Sequence, residues 1–172
     1  MLQYANFQFC PSCGKKKIEG FKENCLRCKE CGFVYFHNCA AAVAGIIEFG
    51  QQILLTKRAA EPRKGFLDLP GGFVFYRESL EEALSREVKE ELNLEIPCWR
   101  YLGSFPNFYS YGGVTYFTTD AIFLASKSDL VGLKTDKEIA DAVLTLPEKI
   151  NWDQIAFDSI KQGLKQYLEG LR

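Results

Sequence analysis

At 172 residues the chain can hold one sizeable core, or one core and a small appended module. Its composition, 47% hydrophobic and 25% charged, is that of a soluble globular protein, and a formal net charge of −1 gives no reason to expect nucleic-acid binding or attachment to an anionic membrane. No apolar run approaches the roughly 20 residues needed to span a bilayer, and MLQYANFQF lacks the basic-then-apolar layout of a signal peptide. The seven cysteines are odd in number, crowd toward the N-terminus and show CxxC spacing, which points to metal binding in a reducing cytoplasm rather than to disulfides.

Residues 1–39 form a distinct block. Cys10-Pro-Ser-Cys13-Gly and Cys28-Lys-Glu-Cys31-Gly are two knuckles separated by 14 residues, each followed by a glycine. Two such turns facing one another supply four thiolates in a tetrahedron, the arrangement structural Zn2+ requires. The block has few large apolar residues, so the metal is expected to hold it together. Cys25-Leu-Arg-Cys28 is also a CxxC; the pair Cys28 and Cys31 is preferred because it alone repeats the trailing glycine. Cys39 and Cys98 read as small buried hydrophobes, and the single histidine, His37, as a loop or core residue.

From Ala40 the pattern becomes α/β. Ala40 to Phe49 is a nearly continuous apolar run, as expected of a strand buried on both faces. Gly50 makes a turn, Gln52 to Arg58 reads as the hairpin partner, and a polar loop follows to Gly65. Phe66 to Pro70 leads into Gly71 and Gly72. Ser79 and Glu82 form a capping box that predicts a helix beginning at Ser79. Leu80, Leu84 and Val88 give that helix a buried stripe, and Asn93 is a stop signal.

Glu87, Glu90 and Glu91 then stand at i, i+3 and i+4, three carboxylates on one face within a single turn. Like charges so close repel unless something compensates them. The segment LPGG, Leu69 to Gly72, brings a tight backbone turn with free carbonyls to the same helix. Hard cations such as Mg2+ or Mn2+ take oxygen ligands of this kind. Together these residues describe a loop–helix cradle for a metal-bound phosphate.

Beyond the helix, Leu94 to Ser104 is expected to be a strand. The stretch Phe105 to Phe117 carries six aromatic residues in 13 and is broken by Gly112-Gly113. Two readings stay open there. Phe105, Phe108, Tyr116 and Phe117 can be core residues, or Phe108, Tyr109 or Tyr111 can stack on a flat base. Val114 to Ala125 alternates like a strand, and Ala142 to Leu146 is a short one after Thr135-Asp136-Lys137-Glu138. Trp152 to Leu171 reads as an amphipathic helix with Ile155, Ile160, Leu164, Leu168 and Leu171 inward.

Gly72, Glu78, Arg86-Glu87, Val88, Glu90-Glu91 and Leu94 resemble the Nudix box, G-x5-E-x7-R-E-U-x-E-E-x-G-U with U a bulky aliphatic, and Asn93 replaces the last glycine. The N-terminal block is similar to the zinc ribbon that precedes the Nudix domain in NADH pyrophosphatase-like proteins. The resemblance implies a ribbon at 1–39 and, at 40–172, an α/β/α sandwich around a mixed sheet. It implies hydrolysis of a nucleoside diphosphate linked to another group, assisted by Mg2+ or Mn2+, on a nucleotide-type substrate, and it allows a homodimer. Carried over by position, Glu87, Glu90 and Glu91 are the main metal ligands, Gly71 offers a carbonyl, and Glu78 stands further out. Arg86 pairs with and orients a box carboxylate, and Arg58 and Arg63 are placed to grip phosphate. Such relatives recruit the general base either from the box or from a later loop, and Glu138 is the candidate outside the box. The chain departs from these relatives in two places. Phe75-Tyr76-Arg77 stands where they have glutamate, a variable residue and glycine. Of a serine-glutamine-proline-tryptophan signature, Ser104-Phe105-Pro106-Asn107 keeps only serine and proline. A non-catalytic ligand sensor on the same fold is the rival reading; such proteins lose acids from the box, and here all are present.

Overall fold

A computed structural model of the chain describes residues 7–22 and 24–171. The chain divides into two compact units, Met1–Cys39 and Ala40–Arg172. In the first, strands β1 (Ile18–Lys22), β2 (Cys25–Cys28) and β3 (Val34–Phe36) form an antiparallel sheet in that order. Two knuckles flank it and repeat one backbone pattern. Gly14 N–H donates to the Cys10 carbonyl and Gly32 N–H to that of Cys28, and both glycines have positive φ (70° and 76°). The Sγ atoms of Cys10, Cys13, Cys28 and Cys31 lie within 4.8 Å of one another. The pairs Cys10–Cys31 and Cys13–Cys28 are each 3.7 Å apart. A tetrahedron with Zn–S arms of about 2.3 Å has edges of about 3.8 Å, so the four sulfurs fit zinc. Cys25 is fully buried outside this cluster, its thiol turned to the Leu26 carbonyl.

The second unit is built on β4 (Ala40–Phe49), whose centre is buried on both faces. It pairs antiparallel with β5 (Gln52–Arg58), and the two short strands β6 (Leu67–Asp68) and β7 (Gly71–Phe73) attach to β5 and β4. Helix α1 (Leu80–Leu92) follows, then the long hairpin β8 (Arg100–Tyr111) and β9 (Val114–Ser126), then β10 (Ile139–Thr145) and helix α2 (Asp158–Gly170). The sheet runs β10-β5-β4-β9-β8, with β4 and β9 parallel and the other pairs antiparallel. Alternation along β4 divides the core. Val43 and Ile47 pack with Leu84, Val88 and Leu92 of α1, while Ala44 and Ile46 pack with Ile160, Leu164 and Tyr167 of α2. This is an α/β/α sandwich with a mixed sheet. Among the described residues no helix is long and apolar enough to cross a membrane.

Local chemistry sets the ends of α1. The Ser79 hydroxyl accepts from Glu82 N–H, the Glu82 carboxylate accepts from Ser79 N–H, and Asn93 closes the helix at φ 54°. Other expectations need correction. The strand expected from Leu94 begins only at Arg100, because Leu94 and Ile96 are drawn into the core beneath α1 and Pro97 has no N–H to give a ladder. The last helix begins at Asp158, not Trp152. Trp152–Gln154 form a single 3-10 turn, after which Ile155 bridges to Leu67 and Ala156 N–H donates to the Leu67 carbonyl, so the chain is tied to β6 before the helix can start. Leu171, expected inward, lies past the helix end and is exposed. Cys39 and Cys98 are exposed rather than buried.

Leu84 is fully buried between α1 and the sheet, so Leu84→Ala should cost about 3 kcal/mol. It would appear as a lower urea midpoint at unchanged slope, and a loss under about 1 kcal/mol would contradict this packing. Metal analysis of purified variants should find about one zinc per chain in Cys25→Ala and a marked loss in Cys31→Ser; the reverse pattern would transfer the fourth ligand to Cys25.

Candidate functional site

The site begins with a close approach of backbone to carboxylate. Strand β7 lies beside β4, with Gly71 opposite Ala44 and Gly72 opposite Val43. Gly71 has φ 150°, and a Cβ there would collide with the Val43 carbonyl oxygen; one on Gly72 would lie 2.5 Å from Oε1 of Glu87. Only glycine lets the bend settle against the helix. Gly71 N–H then donates to Oε2 of Glu91 at 3.0 Å.

Arg86 organises the other carboxylates, with its five N–H bonds each given to an acceptor. Nε donates to Glu78 Oε1 at 2.7 Å and Nη2 to Glu78 Oε2 at 3.0 Å, a two-pronged pair. Nη1 reaches Glu87 at 2.8 Å and Glu90 at 3.2 Å, and Nη2 also reaches the Phe73 carbonyl at 3.1 Å. The Phe75 ring covers the guanidinium at 4.1 Å. Hydrogen bonds from Arg86 lower the carboxyl pKa of Glu78, while burial raises that of Glu87 and pushes Glu91 up to about 9. Glu91 is buried with one backbone N–H and, among the described residues, no cation beside it, a poor place for a lone negative charge.

A cavity of about 640 Å³ opens beside these groups. Of the residues expected to form a site, it is lined by Arg58, Gly71, Glu87, Glu91, Tyr109, Tyr111 and Glu138. Glu138 arrives because its loop is tied to the end of α1. Lys134 N–H donates to the Leu92 carbonyl, Asp136 N–H to that of Glu91, and the Asp136 side chain accepts from Glu138 N–H at 2.7 Å. Glu78, Arg86 and Glu90 adjoin the cavity through their hydrogen bonds without lining it, and the Glu90 side chain is 59% exposed. Two expected substrate contacts lie elsewhere. Along β8, Asn107, Tyr109 and Tyr111 face the cavity, so strand alternation turns Phe108 to the opposite face, where it is exposed and edge-on to Phe117. Arg63 lies over the Phe66 ring and does not line the cavity.

Sequence reading missed other lining groups. Asp68 pairs with Arg58 at 3.0 Å, and burial pushes its carboxyl up to about 6. Asp120 and Thr118, both buried, form a polar cluster with the half-buried Asn107, and the Thr56 hydroxyl has no hydrogen-bond partner among the described residues. Phe73 and Phe157 flank Tyr109. Asp68 in the run Asp-Leu-Pro-Gly-Gly, Phe73 directly after Gly72 and Asn107 at the end of Ser104-Phe105-Pro106-Asn107 stood in or beside recognisable motifs; Thr56, Thr118, Asp120 and Phe157 converge from separate parts of the chain. Six carboxylates line the cavity (Glu61, Asp68, Glu87, Glu91, Asp120, Glu138) against two cations, Arg58 and Lys137. An anionic phosphate group could not settle there uncompensated, and the oxygen-rich donor set suits a hard divalent cation.

Comparison with known proteins agrees with this geometry. A family model described as NUDIX domain matches residues 37–165. The NAD-capped RNA hydrolase NudC of Vibrio vulnificus (strain CMCP6) is 32% identical over 109 residues, 61% of this chain and 41% of that protein. The ADP-ribose pyrophosphatase of Methanocaldococcus jannaschii is 54% identical over 61 residues, 36% of each chain. The chain spans less than half the length of these curated relatives. A NUDIX hydrolase from Nitrosomonas europaea superposes with TM-score 0.72 at 28% identity, covering 94% of this chain and 90% of that one. The NUDIX domain of Shewanella oneidensis NrtR, solved with ADP ribose, shares the fold with TM-score 0.66 at 21% identity, over 80% and 91% of the two chains.

Arg86→Ala would leave Glu78, Glu87 and Glu90 without their shared cation. With the group 21% exposed, the loss should be on the order of 2 kcal/mol. The thermal midpoint should fall by several degrees in chelator and recover in part with Mg2+, since a divalent cation can replace the lost charge. An unchanged midpoint would mean that the cluster needs no compensation.

Proposed function

This chain belongs to the NUDIX family, and on that premise we propose that it hydrolyses the pyrophosphate bond of a nucleoside diphosphate linked to a second moiety, of the ADP-ribose, NADH or FAD type. The products would be a nucleoside monophosphate and a phosphorylated partner. The observation that carries the reading is the meeting of the Gly71-Gly72 bend with Glu87 and Glu91 inside a cavity that also has an aromatic wall. Its volume, about 640 Å³, suits a nucleotide-sized ligand. The names of two relatives, an NAD-capped RNA hydrolase and an ADP-ribose pyrophosphatase, support a substrate with two groups joined through a diphosphate.

Glu87, Glu90 and Glu91 would hold Mg2+ or Mn2+, with the Gly71 carbonyl as a further ligand and Glu78 in the outer ring. Such an ion, when bound, neutralises phosphate oxygens and lowers the pKa of water. The remaining work falls to the chain's own side chains. Arg86 fixes the rotamers of Glu78 and Glu87, so that the carboxylates are oriented before substrate arrives. Glu138, held by Asp136 at the cavity wall, accepts the proton of the attacking water. Arg58 is steadied by Asp68, by the Pro62 carbonyl and by the Phe157 ring, and presents positive charge to a phosphate. Tyr109 and Tyr111 offer faces for a base. The cysteine cluster takes structural Zn2+ and has no part in the reaction.

The deciding assay incubates the protein with ADP-ribose, NADH, FAD and nucleoside triphosphates in Mg2+ or Mn2+ and identifies the products. Nucleoside monophosphate released from the first three, with little turnover of triphosphates, is expected. Glu90→Gln should reduce turnover by at least ~100-fold, and Glu138→Gln should also lower it by about 100-fold or more, the usual contribution of a general base. Full activity in Glu90→Gln would show that the wrong carboxylates had been chosen.

A further inference from the structure

One polar cluster in the cavity has no part in the chemistry above. Asp120 on β9 is 7% exposed and accepts three hydrogen bonds: from Thr118 Oγ1 at 2.6 Å, from Asn107 Nδ2 at 3.0 Å and from Ser159 Oγ at 2.5 Å. Thr118, Ser159 and Asn107 each act as the donor toward this side chain. The Thr118 proton is thereby committed, and the Asn107 amide is fixed with its nitrogen toward Asp120. What Thr118 and Asn107 have left for the cavity they line is a hydroxyl lone pair, the amide oxygen and the second amide N–H.

The surroundings favour a ligand. Thr56, 1% exposed and lining the same cavity, has a hydroxyl with no hydrogen-bond partner among the described residues. Such an orphan costs free energy until something meets it. Tyr109 stands two residues along β8 from Asn107 on the same face, with Phe73 edge-on to it at 5.4 Å and Phe157 tilted at 5.8 Å. An aromatic wall beside an oriented carboxamide suits a flat heteroaromatic ring.

We propose that Asp120 acts as a positioning residue which, through Asn107 and Thr118, makes this part of the cavity select a base bearing an exocyclic amine over one bearing a keto group at the same position. A carboxamide meets adenine with its oxygen on the amine and its N–H on the neighbouring ring nitrogen. A hypoxanthine ring offers oxygen in place of that amine, so two acceptors face each other and the site's polar groups lose their partner. This inference rests on the nucleotide reading above only in taking the ligand to be a nucleotide.

The test is calorimetric titration of the full chain, with Mg2+, by AMP and by IMP, whose rings differ at that amine. AMP should bind about tenfold or more tightly than IMP, and Asn107→Leu and Thr118→Val should each bring the ratio below about threefold. Asp120→Asn, which can place an N–H where an acceptor stood, should also erase the ratio, a readout that loss of packing alone would not move. Asn107 is only partly buried on an edge strand, so its variant decides the matter if the others fail to fold. Equal affinities in the unaltered protein, no binding of either nucleotide, or discrimination retained in Asn107→Leu would overturn the proposal. Release of AMP from ADP-ribose, followed in parallel, reports on hydrolysis alone. Turnover without AMP–IMP discrimination would sink the subsite and leave the hydrolase standing, and discrimination without turnover would do the opposite.

Discussion

Packing a backbone bend directly against carboxylates is costly unless the bend has no side chains and the charges have partners. Both conditions are met where Gly71 and Gly72 pass over Glu87 and Glu91 and where Arg86 joins Glu78, Glu87 and Glu90. The arrangement is partial by design of its chemistry. One guanidinium serves three carboxylates, and Glu91, buried with one backbone N–H, is paired with no cation among the described residues. Such a residue favours either a proton or a metal ion over bare charge, which is why this turn of helix reads as a place for a hard cation and not as a solvated acidic face.

The rest of the second unit serves to hold that turn still. Capping at both ends defines α1 to the residue, and its apolar stripe seats it on the β4 face away from α2. The loop after the helix is fastened to the helix's own last carbonyls, which brings Glu138 to the cavity without a long side chain having to search for it. On the other side, β8 and β9 carry Asn107, Tyr109, Thr118 and Asp120 past the end of the core, where alternate residues turn to the cavity. Carboxylates and an aromatic, acceptor-lined wall thus come from different elements and share one space.

The N-terminal unit follows a different rule of stability. Its three strands are short and its exposed residues include Phe9, Phe21 and Phe36, so little apolar surface is removed from water. Four sulfurs at tetrahedral spacing fit a Zn2+ ion, which when bound would supply what the core does not. The second unit is the one matched by the NUDIX family, and of the departures at Phe75-Tyr76-Arg77 and at Asn107, Phe75 and Asn107 line its cavity.

Much of the architecture was legible in the order of residues, because it depends on short-range chemistry. The capping box, the left-handed Asn93, the twin glycines, the paired cysteine knuckles and the apolar run of β4 act within a few residues, and each stands where local rules place it. Carboxylates at i, i+3 and i+4 share a face for the same reason. The late start of β8 and the delayed α2 escaped, since Leu94 and Ile155 answer to partners far along the chain. The same holds for the cavity. Strand alternation separates Phe108 from Tyr109, and Asp120 gains its importance only when Asn107, Thr118 and Ser159 converge on it from three elements. Sequence alone determined which groups could carry chemistry; tertiary structure decided which of them face one another, because hydrogen bonding and burial are properties of neighbours in space.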